Sequence, residues 1–188
     1  MRLFVAIPPV SGSLGWVREV KDLLRPRLRG SRWVDEENVH VTLKFLGEVP
    51  VERLDQVESV LSGVARSFSE FPLELKGLGA FPSVKRPQIV WAGVGEGSSS
   101  VVSLAAAVEE ALETAGFVRE ERTFHPHATL ARIKEPVVRR ESLWPPEWNT
   151  RRFSVFTVRN FCLMESRLRP EGPVYQKGKN YLLGPRRG

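Results

Sequence analysis

The chain carries one four-residue pattern twice, His40-Val41-Thr42-Leu43 and His127-Ala128-Thr129-Leu130. Each copy falls in an apolar run that reads as a strand, and the same order of elements leads into both. In the first half, residues 2–7 read as a buried strand that stops at Pro8. Ser11 and Ser13 are placed to cap a helix carrying Leu14, Val17, Val20, Leu23 and Leu24 at a helical period, with Pro26 at its end, and residues 39–46 form the motif strand. In the second half, residues 87–94 read as a strand and the Ser98–Ser100 run as the cap of a helix that Gly116 stops. The second motif strand then spans 127–133. A further helix is expected from Val51 and a strand over 71–77, with β-rich stretches at 152–158, 161–165 and 173–182. The second copy shows no clear counterpart of the helix from Val51, so the repeat is imperfect.

A repeated strand–helix–strand with short connections predicts an α+β fold with antiparallel sheets rather than a doubly wound one. No glycine-rich loop follows a strand in the way a dinucleotide or P-loop site requires. At 188 residues the chain suits one compact domain or two closely packed lobes. No apolar run approaches the roughly 20 residues that span a bilayer, and the stretch before Pro8 is too short for a secretory signal. A single cysteine, Cys162, excludes an internal disulfide framework and fits a reducing cytoplasm. Lys and Arg number 28 against 22 Asp and Glu, a formal charge of +6 that favours anionic partners. The second half concentrates the excess: Arg119, Arg122, Arg132, Lys134, Arg139, Arg140, Arg151, Arg152 and Arg159, with Lys177, Lys179, Arg186 and Arg187 in the tail.

The spacing within the motif has a chemical meaning. Side chains alternate across a strand, so His40 and Thr42 share one face, as do His127 and Thr129. Two such pairs meeting across a cleft would give a phosphoryl group two hydroxyl donors and an imidazole on each side. In-line displacement at phosphorus without a metal needs that set, with one neutral imidazole to take a proton and one imidazolium to give one. Metal binding is the rival chemistry. His125, His127 and His40 could offer three nitrogens, but Pro126 separates the close pair and the motif holds no carboxylate or thiolate. His125 is read as supporting. Lys44 shares a face with His40 and Thr42 under strict alternation, so its charge can reach the cleft; a solvated strand-end lysine is the plainer reading. The same rule sets Arg132 opposite His127, leaving it to reach a phosphate only where the strand twists or ends near Ala131. Phe45 reads as core packing, and Trp33, Trp91, Trp144 and Trp148 are candidates to stack on a base.

These motifs, with Met1-Arg-Leu-Phe-Val-Ala-Ile7, His40-Val-Thr-Leu-Lys-Phe-Leu-Gly-Glu48, Phe124-His-Pro-His-Ala-Thr-Leu-Ala-Arg132 and Glu165-Ser-Arg-Leu-Arg-Pro-Glu-Gly-Pro-Val-Tyr175, make the chain similar to the 2H phosphoesterase superfamily. Within it, the chain resembles the bacterial and archaeal RNA 2′,3′-cyclic phosphodiesterases, historically called 2′-5′ RNA ligases. The resemblance implies a single bilobal domain over residues 1–188, with two antiparallel sheets backed by helices about a pseudo-twofold axis and a central cleft. It implies hydrolysis of a terminal 2′,3′-cyclic phosphate on RNA, tRNA fragments among them, to a 2′-phosphomonoester without metal or cofactor. His40 would be the proton donor to O3′ and His127 the acceptor that activates water. Thr42, Thr129, Lys44 and Arg132 would hold the substrate. A cytoplasmic monomer with no membrane association is expected. A 2′-5′ ligase or phosphodiesterase, and an RNA- or nucleotide-binding module without turnover, are the alternatives.

Overall fold

The computed structural model describes residues 1–8, 14–134, 142–169 and 172–185. Ser11, Ser13, Arg139, Arg140, Arg186 and Arg187, named above, lie outside them. The first half begins with β1 (Arg2–Ile7), α1 (Gly15–Leu24), β2 (Ser31–Trp33) and the motif strand β3 (Val41–Glu48). Next come α2 (Leu54–Arg66) and β4 (Phe71–Ser83). The second half holds β5 (Arg86–Val94), α3 (Ser98–Thr114) and the second motif strand β6 (His127–Ile133), followed by β7 (Arg152–Val158), β8 (Asn160–Arg169) and β9 (Gly172–Leu182). No helix among the described residues is long and apolar enough to cross a membrane.

The helices form where apolar side chains recur on one face. Val17, Val20 and Leu24 are buried in α1, Val57, Leu61 and Val64 in α2, and Val101, Leu104, Val108 and Leu112 in α3. Gly116, at φ +84°, ends α3 as its position predicts, with the Gly116 and Phe117 amides turning back onto the carbonyls of Glu113 and Leu112. At the other end of α3 the serine run does not cap. Gly97 holds the N-cap position at φ +81°, and a Cβ there would lie 2.1 Å from the Pro72 carbonyl oxygen. The backbone passes so close to β4 that glycine takes the place a serine would otherwise fill. The expected strand over 71–77 continues to Ser83, and β2 is an addition that three residues were too short to announce.

The strands run in the order β7-β4-β5-β6-β3-β1-β8-β9, with β2 also paired to β6. All of these neighbours are antiparallel. Read outward from the centre, β3 and β6 correspond, then β1 and β5, β8 and β4, β9 and β7. The two halves are thus related by a pseudo-twofold axis between β3 and β6. Among the described residues those two strands pair at Val41↔Ala128 only, so the two expected sheets join at a narrow waist. Each half's helix reaches across the waist. The Trp16 ring of α1 stacks on Phe153 of β7 with centroids 4.8 Å apart, and Glu109 of α3 pairs with Lys44 of β3. The main core, including Val5, Ile7, Val41, Leu43, Val90, Ala128 and Leu130, lies on the helix side of the sheet. A second, small cluster of Phe4, Ala6, Cys162 and Met164, with Tyr175 against it, lies apart from that core.

Candidate active site

The waist brings the two motifs together. Around the antiparallel pair Val41↔Ala128, His40 stands across from Thr129 and Thr42 across from His127. The imidazoles therefore occupy one diagonal of a four-cornered site and the hydroxyls the other. All four side chains are half-buried.

The two histidines are held in the same way. Nδ1 of His40 lies 2.7 Å from the Asn38 carbonyl oxygen, and Nδ1 of His127 lies 2.6 Å from that of His125. A carbonyl oxygen only accepts, so Nδ1 carries the hydrogen in both rings and Nε2 is left for a ligand. His125 is exposed and contributes through its backbone, which agrees with a supporting part. Each ring also meets an aromatic edge. Tyr175 approaches His40 at 5.1 Å and 86°, and Phe81 approaches His127 at 5.1 Å and 83°. Phe4 lies 5.0 Å from His40 and Trp91 6.0 Å from His127.

Burial pushes the pKa of both imidazoles below the ordinary histidine value, since a desolvated ring resists charge. The carbonyl bonds oppose that shift, and the Arg132 charge adds to it at both rings. Burial also raises the Tyr175 hydroxyl, against the pull of Arg132 and Arg2. Arg132 thus acts on His40, His127 and Tyr175 together.

The structure departs from strict alternation within both motifs, at the same place. Ala6 pairs with Thr42 and Val5 with Lys44, which leaves Leu43 as an extra residue. Trp91 pairs with Thr129 and Val90 with Ala131, which leaves Leu130 extra. Each is a β-bulge, and each reverses the side-chain parity beyond it. Leu43 and Lys44 both turn to the helix side, as do Leu130 and Ala131, and all four are buried. Phe45 and Arg132 return to the face of the histidines.

Three expectations change as a result. Lys44 does not reach the cleft: its side chain is 1% exposed, pairs with Glu109 and donates to the Val118 carbonyl at 2.8 Å. The Glu109 carboxylate also accepts from the Glu120 amide, so Lys44 ties β3 to α3 and to the chain that leads on to His127. Phe45 is not core: it is 62% exposed and its ring lies 5.9 Å from Phe4. Arg132 gains the site face that alternation denied it. It is exposed, and its cross-strand neighbour is Arg32 of β2.

The aromatic candidates also sort themselves. Trp91 lies beside His127, whereas Trp144 is buried and donates to Asn149 at 2.8 Å, and Trp148 packs on Phe153 under the Arg151 guanidinium. Trp33 is partly buried against the main core. Phe4, Phe81 and Tyr175 were not singled out from the sequence. The signal for Phe4 and Tyr175 was their place in the family-like segments at residues 1–7 and 165–175.

Two histidines locked through Nδ1, two hydroxyls at the opposite corners and an arginine on the same face thus meet at the waist. The chain belongs to the LigT-like phosphoesterase family, whose model matches residues 7–91 and 94–175. Among its relatives, the RNA 2′,3′-cyclic phosphodiesterase of Archaeoglobus fulgidus is 37% identical over 184 residues, 94% of this chain and 97% of the relative. The enzyme of the same name from Thermus thermophilus is 34% identical over 189 residues, 97% and 90% of the two chains. A crystal structure of a Thermus thermophilus protein superposes with a TM-score of 0.82 at 29% identity, covering all of both chains. Escherichia coli LigT complexed with 3′-AMP superposes with a TM-score of 0.78 at 27% identity, covering 97% of each.

Proposed function

We propose that the protein opens the 2′,3′-cyclic phosphate at an RNA end to a 2′-phosphomonoester, with His40 and His127 as the acid–base pair and no metal or cofactor. The observation that carries this reading is the duplicated Nδ1 lock, which leaves an Nε2 for a ligand on each of two histidines that stand diagonally across the waist. His127, neutral and with its Nε2 lone pair available, takes the proton from water as the water's oxygen attacks phosphorus. The P–O3′ bond breaks opposite the new bond, and His40 gives its Nε2 proton to O3′. Burial disfavours the charged form of His40, but the anionic phosphate favours it, so substrate binding itself helps to load the acid. Thr42 and Thr129 donate to the non-bridging oxygens, and Arg132 offsets charge that develops there.

The relatives' activity on RNA cyclic phosphate, and the 3′-AMP complex of the Escherichia coli protein, support the substrate class. Both motifs come from one chain, which supports a monomer working as one catalytic unit over residues 1–188. The buried thiol of Cys162, which donates to Asn180 at 2.8 Å, suits a cytoplasmic setting, where tRNA fragments are one source of such ends.

The test is turnover of a short RNA ending in 2′,3′-cyclic phosphate, with EDTA present, followed by identification of the product. A 2′-phosphate end formed despite the chelator is the expected result. A joined strand would move the assignment to ligation. No turnover by the parent protein would leave a binding module.

A further inference from the structure

Beyond Phe45, away from the histidines, a cavity of about 470 Å³ opens between the far half of β3 and the chain that follows α3. Phe45, Pro50, Arg53, Phe117, Val118 and Arg119 are among its lining residues. Its wall is linked to the active site by packed rings, because Phe4 contacts both His40 and Phe45. Two apolar side chains stand out from its walls, Phe45 at 62% and Val118 at 90% exposure. The Lys44–Glu109 pair lies beneath this wall and fixes it, since Lys44 holds the Val118 carbonyl and Glu109 the Glu120 amide.

The charges around the cavity differ in how they are matched. Glu120 is paired with Arg122, Arg119 with Glu113, and Glu48 with the N-terminal ammonium. Arg53 is bound by neutral groups instead. It donates to Gln56 at 3.1 Å and to the Ala115 carbonyl at 2.8 Å, and it lies over the Phe117 ring at 3.9 Å. Those contacts hold the guanidinium in place without neutralising it, which is the state an incoming phosphate uses best.

We propose that this cavity seats the nucleotide next to the RNA terminus, with Arg53 binding its phosphate and Phe45 and Val118 offering surface to its base. The proposal rests on the RNA-end reading above and extends it, making the enzyme selective for oligonucleotides over mononucleotides. Single-strand sites commonly pair a cation that tracks the backbone with an exposed apolar or aromatic platform, and this cavity holds both.

Binding can be measured apart from catalysis. The probes are a mononucleotide and a dinucleotide, each ending in a 2′-phosphate, titrated against the parent protein, Arg53→Gln, Arg53→Lys and Val118→Asp. The dinucleotide is expected to bind the parent about tenfold more tightly than the mononucleotide. Arg53→Gln and Val118→Asp should abolish that margin, Arg53→Lys should keep part of it, and the log–log salt slope for the dinucleotide should fall by about 0.7 in Arg53→Gln. Equal affinity of the parent for both probes, or an equal loss for both in Arg53→Gln, overturns the subsite. Because the probes are not turned over, a dinucleotide margin that depends on Arg53 upholds the subsite even if the cyclic phosphate proves not to be the substrate.

Discussion

The two motif strands share a plan and, on the site face, differ at one position. In both, a histidine and a threonine are followed by a bulged leucine, and two residues beyond it a side chain returns to the site face. In β3 that residue is Phe45 and in β6 it is Arg132. Their neighbours follow suit, Phe4 across from Phe45 and Ile89 and Arg32 across from Arg132. One half therefore offers an apolar platform and the other a cation. Under the proposed reaction, the duplicated frame would supply the symmetry that in-line displacement needs, while the unlike sixth position would give the substrate a direction.

The histidines should be the least tolerant positions and should fail alike. His40→Ala and His127→Ala are each expected to lower kcat by about 10³-fold or more, as loss of a general acid or base does. Folding, followed by circular dichroism, should be intact. A variant of either that turns over normally would break the symmetric reading.

Lys44 comes next and separates structure from substrate binding. Lys44→Met leaves the Glu109 carboxylate without its cation and should cost about 3 kcal/mol of stability in denaturant melts. KM of the protein that remains folded should be near the parent value. A raised KM with unchanged stability would return Lys44 to the substrate.

Arg132 and Phe45 test the sixth position directly. Arg132→Gln is expected to lower kcat by about 10²-fold, as removal of a preorganised charge-stabilising donor does. Phe45→Ala should instead raise KM by about tenfold, the scale of one base–aromatic stack. If both variants changed the same parameter by the same factor, the division between platform and cation would fall.

The smallest effect is on pH dependence. Both imidazoles ionise below the ordinary value near 6.5, so the bell-shaped kcat/KM profile should peak on the acid side of it. Arg132 disfavours both imidazolium forms, so its removal should let each ring hold its proton to higher pH. The residual activity of Arg132→Gln should therefore peak at higher pH than the parent. An optimum that stayed in place would mean that Arg132 does not face the two rings in solution.

The elements and the family were legible along the chain. Apolar periodicity marked α1, α2 and α3, β6 was readable over its full length, and duplication of His-x-Thr-Leu declared both the pseudo-symmetry and the two histidines that meet at the waist. Strand parity correctly put Thr42 with His40 and Thr129 with His127, because each pair lies on one side of its bulge. The faces of Lys44, Phe45 and Arg132 were set by strand pairing instead. A bulge is a property of two strands, seen only when Leu43 finds no partner opposite the Val5–Ala6 step and Leu130 none opposite Val90–Trp91. The sequence of one strand holds no mark of that mismatch. For the same reason Lys44 could not be matched to Glu109, 65 residues away, until α3 had crossed the waist and packed against β3. What local chemistry dictates can be read along the chain, whereas what depends on register between distant segments exists only once they meet.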